Sequence, residues 1–313
     1  MLGASQAYQR MCRRAARVGQ SGRTALVVGP TGSGKELIAE AIHRNSSRAE
    51  SPMITVNCGA LPDSLIEDEL FGHSRGAFTG AVHKRGGLVA SSDGGTLFLD
   101  EVNALSLKAQ ARLLRFLETG EYRSLGADGP RYANTRIIAA TNQDLHQCVA
   151  ARSFRDDLMY RLDVMRVDVP ALTERDDDVV LLAEHFLRAL RPEARFATSA
   201  LQAMRSYDWP GNIRELKHRI EACALLEDGD LIDAEVIGLA AAPPSYREPE
   251  AEGLEGQLWS LIDQRGLSLG EAVTLCERLL VRSALRAEDD NRTRAAQRLG
   301  IHVRTIFKKL AQP

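Results

Sequence analysis

Five short runs of mostly apolar, β-branched residues recur in the first half of the chain, and each predicts a β-strand. They span residues 24–29, 53–58, 96–100, 136–141 and 164–169. The stretches between them have helical periodicity. In the segment 106–119, for example, Leu107, Ala111, Leu114 and Leu117 recur on one helix face. Strands that alternate with helices in this way predict an α/β fold, with a parallel sheet covered by helices on both faces.

The pattern becomes wholly helical from about residue 176 to residue 239. Asn212 follows Trp209, Pro210 and Gly211, and the segment after it keeps apolar residues on one face. We therefore expect Asn212 to be the N-cap of a helix. The segment 240–253 is rich in Pro, Ala and Glu without periodicity and predicts a linker. Residues 254–313 form a helical unit too small to be very stable alone, so dimerisation would help it.

Composition narrows the class of protein only slightly. The 313 residues carry a net charge of −2, so nucleic-acid binding would need a local basic patch. The five cysteines show no metal-like pairing, as is typical of reduced thiols in a cytosolic protein. No apolar run is long enough to span a membrane, and arginines interrupt the N-terminal segment where a signal peptide would be apolar. A cytoplasmic protein without membrane association is expected.

A glycine-rich loop follows the first predicted strand and opens a helix, as in a Walker A motif. Its residues are Gly29, Pro30, Thr31, Gly32, Ser33, Gly34 and Lys35. Glycines let backbone N–H groups approach phosphates, and a lysine neutralises the β- and γ-phosphate oxygens. Glu36 stands where Ser or Thr usually ligates magnesium. The spacing, strand, lysine and helix together predict ATP binding and make a chance glycine-rich turn a poor alternative.

An apolar strand that ends in Asp100 and Glu101 has the Walker B pattern. Asp100 would hold Mg²⁺ through water, and Glu101 would orient or deprotonate the attacking water. An exposed acidic strand end is the alternative, but the carboxyl end of a buried parallel strand is where ligand sites form.

Between the two motifs lies a hexapeptide whose residues are too small to form core and too rich in glycine to form a helix. It consists of Gly76, Ala77, Phe78, Thr79, Gly80 and Ala81.

These motifs resemble the AAA+ activators of sigma-54 RNA polymerase, the bacterial enhancer-binding proteins. The hexapeptide matches the family's GAFTGA loop, and the likeness covers about residues 2–240 through the segments 69–73, 94–101, 139–142, 154–162 and 209–216. The resemblance implies a P-loop ATPase with a helical lid, using ATP and Mg²⁺. It further implies a homo-oligomeric ring, with a hexamer as the expected size and a related second subunit left open. The GAFTGA loop would contact the sigma-54 holoenzyme.

The resemblance also implies roles for single residues. Asn142 would be sensor I, Asn57 the switch residue that holds the catalytic Glu, and Arg214 sensor II. Arg155 and Arg161 would be arginine fingers supplied to a neighbouring subunit. Ion pairing with Asp156, Asp157 or Glu215 is the alternative for these arginines. Residues 121–135 would form a second pore loop, where Asp128 and Gly129 are a turn signal.

The C-terminal unit has a helix–turn–helix pattern and resembles a Fis-type DNA-binding domain. Ala295, Ala296 and Leu299 would pack the first helix, and Ile301, Ile306 and Leu310 would anchor the second. The predicted contacts with enhancer DNA are His302, Arg304, Thr305, Lys308 and Lys309. A helical hairpin without DNA binding is the alternative.

The predicted organisation is an ATPase core over 1–172, a lid over 173–239, a linker over 240–253 and a DNA-binding domain over 254–313. The predicted function is ATP-driven remodelling of the sigma-54 closed complex. One alternative is a DNA-binding regulator in which ATP controls only assembly. Another is a protein-unfolding or helicase-loading machine, which would have a pore aromatic without this hexapeptide or a protease-docking segment, and the sequence shows neither. Only about twenty residues precede the first strand. If the chain is complete, control of its activity would depend on a separate regulatory partner, on its expression level or on assembly with a related subunit. A truncated chain is the alternative explanation for the short N-terminal segment.

Overall fold

The computed structural model describes residues 2–77, 83–127, 129–226, 229–239, 280–281, 283–288, 291–299, 301 and 306. The chain divides into two compact units, Met1–Ala240 and Ala241–Pro313. In the described residues, no helix is both long and apolar enough to cross a lipid bilayer.

A five-stranded parallel sheet forms the centre of the first unit. Its strands lie in the order β2-β5-β8-β1-β9. They are β1 (Ala25–Val28), β2 (Met53–Asn57), β5 (Thr96–Asp100), β8 (Arg136–Thr141) and β9 (Met165–Asp168). Short strands form separate pairs: β3 (Gly72–His73) with β4 (Arg85–Gly86), β6 (Glu121–Tyr122) with β7 (Arg131–Tyr132), and β10 (Arg195–Phe196) with β11 (Leu231–Ile232).

The helices of the first unit cover both faces of this sheet and build a separate helical layer. They are α1 (Gln6–Ser21), α2 (Lys35–Arg44), α3 (Asp63–Phe71), α4 (Leu88–Ser91), α5 (Leu107–Thr119), α6 (Leu145–Ala150), α7 (Asp156–Leu162), α8 (Asp178–Leu190), α9 (Thr198–Ser206) and α10 (Asn212–Leu226). Local sequence explains several helix ends. The Ser5 and Ser106 hydroxyls cap α1 and α5, and Gly22 and Gly120 end these helices with φ of 66° and 72°.

Alternate residues of the central strands belong to two hydrophobic cores. Leu97 and Leu99 of β5 pack into the core with α5 and α7, while Phe98 packs into the opposite core with α1 and α2. All three side chains are fully buried. A strand buried on both faces reads as an unbroken apolar run, which is why the sequence predicted it. The parallel α/β fold with a helical lid is confirmed.

The lid consists of α8, α9 and α10 around its own core. Leu182, Met204, Leu216 and Ile220 are buried there together with Trp209, whose Nε1 donates to the Met204 carbonyl at 2.8 Å. The indole thus buries a large apolar area without leaving its N–H unpaired.

A buried ion pair ties this lid to the start of α1. Arg175 Nε lies 3.0 Å from Asp178 Oδ2, and Asp178 also accepts from the Ser5 hydroxyl and the Ala4 and Ser5 amides. The lid is therefore fixed to the sheet domain at a point well away from the glycine-rich loop in sequence.

The second unit has a small core of its own. Helix α11 (Arg292–Arg298) starts at Asn291, whose side chain accepts from the Arg294 amide. Ala295, Ala296 and Ile306 are buried there, and Leu299 and Ile301 are partly buried against them. Leu310 and all five predicted DNA contacts, His302, Arg304, Thr305, Lys308 and Lys309, lie outside the described residues.

Candidate active site

The glycine-rich loop of residues 29–34 joins β1 to α2. Gly32 and Gly34 have φ of 75° and 92°, in the left-handed region that favours glycine. Helix α2 begins at Lys35, so the loop's backbone amides lie at the N-terminus of a ten-residue helix. This is the arrangement in which a helix start and successive amides bind phosphate groups.

Lys35 lies buried inside this loop. Its Nζ donates to the Gly29 carbonyl at 3.0 Å and the Pro30 carbonyl at 3.2 Å. Burial lowers the pKa of the Lys35 ammonium and nearby Arg214 lowers it further, whereas Asp100 and Glu101 oppose the shift. Both present acceptors are neutral carbonyls, so a phosphate oxygen would be a stronger partner.

The two acidic residues lie at the carboxyl end of β5. Glu101 has a left-handed φ of 53°, and its amide donates to Asp100 Oδ1 at 3.0 Å. This turn directs the Glu101 carboxylate toward the end of β2. A Cβ on Gly59 would lie 2.5 Å from Glu101 Oε2, so a larger residue at position 59 would require the Glu101 carboxylate to move.

Asn57 is the last residue of β2 and pairs in register with Asp100. Its Oδ1 accepts from the Gly59 amide at 2.8 Å and lies 3.4 Å from the position of a Gly59 Cβ. The predicted switch residue and the predicted catalytic Glu thus meet at Gly59. Burial, with the charges of Asp100 and Glu101, raises the pKa of the Cys58 thiol to about 12. That thiol stays protonated and is not a nucleophile at neutral pH.

Asn142 follows β8 and reaches the glycine-rich loop. Its Nδ2 donates to Thr31 Oγ1 at 2.9 Å. Strands β8 and β1 are neighbours in the sheet, so the loop after each ends at the same edge. The structure therefore brings the predicted sensor I residue to the P-loop.

Arg214 approaches the same loop from the lid. Its backbone N donates to the Gly32 carbonyl at 3.2 Å, and its side chain is exposed in the first turn of α10. A Cβ on Gly32 would lie 2.2 Å from the Gly211 carbonyl, so lid and loop touch through their backbones.

These groups fit a nucleoside triphosphate with a divalent cation. The buried Ser33 hydroxyl has no hydrogen-bond partner within the described chain, and a phosphate oxygen could accept from it. Glu36 is exposed in the first turn of α2. No cluster of three or more His, Cys, Asp or Glu side chains suited to a metal occurs in the described ranges. A cation would therefore use Asp100 together with phosphate oxygens and water, as Mg²⁺ commonly does.

The predicted arginine fingers are paired within the chain. Arg155 forms a bidentate ion pair with Asp157, with N–O distances of 3.0 and 2.7 Å. Arg161 lies 3.7 Å from Glu118 and is 55% exposed. In the part of the chain that the structure describes, neither arginine hydrogen-bonds to the P-loop. The Arg161 side chain is more exposed than that of Arg155, and its ion pair is longer. Arg161 is therefore the better placed of the two to contact another molecule.

The hexapeptide belongs to the segment that connects β3 to β4. Gly76 and Ala77 are described, while Phe78, Thr79, Gly80 and Ala81 lie outside the described residues. His73 joins the two arms below it. Its Nδ1 lies 2.6 Å from Asp68 Oδ1 in α3, and its Nε2 lies 2.8 Å from the His83 carbonyl. Both ends of the hexapeptide segment are therefore tied to α3.

The second predicted loop packs against the first. Strands β6 and β7 form the expected hairpin, and the segment between them pairs with the arm that leads to the hexapeptide. The Leu125 carbonyl accepts from Ser74, and the Leu125 amide donates to Gly72, at 2.8 and 2.7 Å. A Cβ on Gly126 would lie 2.8 Å from the Ala77 Cβ, so the loops are in direct contact. Asp128 lies outside the described residues.

Comparison with known proteins decides the family. Residues 1–168 match the sigma-54 interaction domain, and residues 173–252 match an AAA+ ATPase lid domain. The chain belongs to the sigma-54 interaction domain family. It is 40% identical over 318 residues to the transcriptional regulatory protein ZraR of Salmonella typhimurium strain LT2, covering 100% of this chain and 68% of ZraR. It is 43% identical over 312 residues to the anaerobic nitric oxide reductase transcription regulator NorR of Aeromonas salmonicida, covering 96% and 60%.

Solved structures agree with this sigma-54 interaction domain assignment. The ATP complex of NtrX from Brucella abortus has a TM-score of 0.74 and 29% identity over 99% of this chain and 68% of NtrX. The ADP complex of the same protein has a TM-score of 0.75. The chain spans 60% to 68% of the length of these relatives.

Three contacts in the first unit were not predicted from sequence: Gly59 with Glu101, His73 with Asp68 and His83, and Asn212 of the lid with Thr31. The Asn212 prediction was wrong in its chemistry. Its amide does not cap α10, because Oδ1 accepts from the Leu172 amide and Nδ2 donates to the Thr31 carbonyl. Glu215 supplies a capping contact instead, since its Oε2 accepts from the Gly211 amide at 2.9 Å.

Proposed function

We propose that this chain is an ATP-hydrolysing activator of sigma-54 RNA polymerase that binds enhancer DNA, assembles as a ring and remodels the closed complex with its GAFTGA loop. The convergence of Lys35, Glu101 and Asn142 at one edge of the parallel sheet supports the ATPase part. The match to the sigma-54 interaction domain supports the partner. The main support for the ATPase proposal is that β5 ends in Asp100 and Glu101, whose charges act on Lys35 of the phosphate-binding loop.

In this proposal the P-loop amides, Lys35 and Ser33 bind the phosphates. Glu101 orients an attacking water and accepts its proton, while Asn142 and Arg214 contact the terminal phosphate region. A magnesium ion bound near Asp100 would neutralise phosphate charge. Glu101 and Asn57 both contact Gly59. A movement of Glu101 on loss of the terminal phosphate would therefore displace the residues at the end of β2.

The route from the ATP site to the GAFTGA loop runs through α3. Helix α3 starts six residues after Asn57, and Asp68 on this helix holds His73 at the base of the hairpin. A shift of α3 would therefore move both arms of the loop, and the Leu125 hydrogen bonds would carry the second loop with it. This is a two-hairpin element whose position the ATP site can bias.

Transcription in vitro tests the function directly. With sigma-54 holoenzyme, supercoiled template carrying the enhancer and ATP, the wild-type chain is expected to form transcripts, and Thr79→Ala is expected to lower their yield at least tenfold. ATP hydrolysis should stay within about twofold of wild type, because Thr79 belongs to the proposed contact loop and to neither the phosphate-binding loop nor the acidic end of β5.

Two results would count against the proposal. Normal transcription by Thr79→Ala would exclude remodelling through the loop. Equal transcription with ATP and with a non-hydrolysable analogue would favour a regulator in which ATP controls only assembly.

Removing the segment 254–313 should reduce activation at low protein concentration and spare it at high concentration, since enhancer DNA raises the local concentration of the ring.

The His73 tether gives a separate prediction. The two ring nitrogens of His73 lie on opposite sides of the imidazole, so one side chain contacts both the Asp68 carboxylate and the His83 carbonyl. His73→Gln should break the tether, retain ATP hydrolysis and lower transcript yield about tenfold, because the loop loses its fixed base. The matched control is His185→Gln at an exposed lid position. Wild-type yield from His73→Gln would refute a role for the tether.

A further inference from the structure

Asn212 occupies an unusual position at the start of the lid helix. It is 4% exposed and has a left-handed φ of 52°. Residues other than glycine rarely adopt this conformation, although Asn tolerates it better than most. A buried residue held in such a conformation commonly marks a site where the surrounding contacts require it.

Both ends of the Asn212 amide are used, and they join different parts of the chain. Its Oδ1 accepts from the Leu172 amide at 2.9 Å, where the lid begins. Its Nδ2 donates to the Thr31 carbonyl in the P-loop at 3.1 Å and makes a longer contact of 3.5 Å with the Pro210 carbonyl. The Leu172 and Pro210 contacts are internal to the lid and its base, and the Thr31 contact connects the lid to the phosphate-binding loop.

Thr31 is held from two directions. Asn212 binds its carbonyl, and Asn142 binds its hydroxyl at 2.9 Å. The next residue, Gly32, accepts from the Arg214 amide at 3.2 Å. The outer side of the P-loop is thus bound to the first turn of α10, and Arg214 follows Asn212 by two residues in that turn.

We propose that Asn212 is a positioning residue for the nucleotide: its amide fixes α10 against Thr31 and so directs Arg214 toward the bound phosphates. The inference rests on the proposed ATPase function. Without the Asn212–Thr31 hydrogen bond the lid keeps its own core, but the first turn of α10 is held to the loop by a backbone contact alone. Binding a nucleotide then has to order Arg214 as well.

Asn212→Asp separates the two hydrogen bonds. Aspartate tolerates the left-handed backbone and keeps an acceptor for the Leu172 amide, but it has no donor for the Thr31 carbonyl. Calorimetry with the full chain and the ATP analogue AMP-PNP should show about tenfold weaker binding than wild type, as expected for one buried hydrogen bond. Asn212→Gly keeps the backbone conformation without burying a charge and should show a similar loss. Gln202→Glu, the same amide-to-acid change at an exposed lid position, should bind like wild type.

A double-mutant cycle distinguishes positioning from a general loss of stability. If Asn212 acts through Arg214, adding Asn212→Asp to Arg214→Ala should weaken AMP-PNP binding by less than twofold beyond Arg214→Ala alone. A further tenfold loss in the double variant would overturn the inference, as would wild-type affinity in both single variants. Absence of AMP-PNP binding by the wild-type chain would instead refute the proposed ATPase function, and the inference with it.

Discussion

Replacing Glu101 by glutamine is expected to lower kcat for ATP hydrolysis about a thousandfold, in the range found when a general base is removed. Glutamine has the same shape, so it should still fit against Gly59 and leave the turn after β5 intact. It cannot accept a proton from water, however. The loss corresponds to about 4 kcal/mol of transition-state stabilisation. Steady-state hydrolysis by the assembled protein measures it.

ATP binding by the Glu101→Gln variant should be retained, because Lys35, the loop amides and Arg214 are unchanged. The matched control is Glu50→Gln, which makes the same substitution at an exposed position outside the site and should hydrolyse ATP normally. Hydrolysis by Glu101→Gln within tenfold of wild type would show that another group activates the water.

The sheet and its motifs could be predicted because their signals are local. The segments 96–100 and 136–141 have the same bounds in sequence and structure, since doubly buried strands are uninterrupted apolar runs. The P-loop was equally predictable, because glycines, a lysine and a following helix occur together within a few residues. The prediction that acidic residues end a central strand follows from the same apolar run.

The contacts between distant segments could not be predicted in this way. Gly59 lies against Glu101 only because β2 and β5 are neighbours in register, and nothing in the local sequence distinguishes Gly59 from a turn glycine. His73 likewise binds a residue of α3 and the far arm of its hairpin. Such contacts depend on strand order and loop path, which residue periodicity does not specify.

Asn212 illustrates how a correct local signal can lead to a wrong role. Asn after Gly at the start of an apolar periodic segment is typical of an N-cap. In the fold, Glu215 already supplies an acceptor for the Gly211 amide, and the Leu172 amide and Thr31 carbonyl lie within reach of Asn212. The Asn212 side chain therefore hydrogen-bonds to Leu172 and Thr31, which are distant in sequence, and does not cap the helix as the local pattern predicted.

Mixing two inactive variants is expected to restore ATP hydrolysis if Arg161 acts across a subunit boundary. Arg161→Ala alone should lower kcat about a thousandfold, the scale on which an arginine finger contributes. Glu101→Gln alone is inactive for a different reason, because its own site lacks the base while its Arg161 is intact. In a ring each subunit presents its Arg161 to one neighbour, as heterologous interfaces require.

Equimolar mixing should therefore return about a quarter of wild-type hydrolysis, because half of the subunits keep Glu101 and half of their neighbours supply Arg161. The control mixes Arg161→Ala with the double variant Glu101→Gln and Arg161→Ala, in which no subunit supplies the arginine, and should stay inactive. Recovery in the first mixture alone would assign Arg161 to the neighbouring subunit's site. Failure at every ratio, with rings present by size-exclusion chromatography, would leave Arg161 a residue that acts within its own chain, beside Glu118.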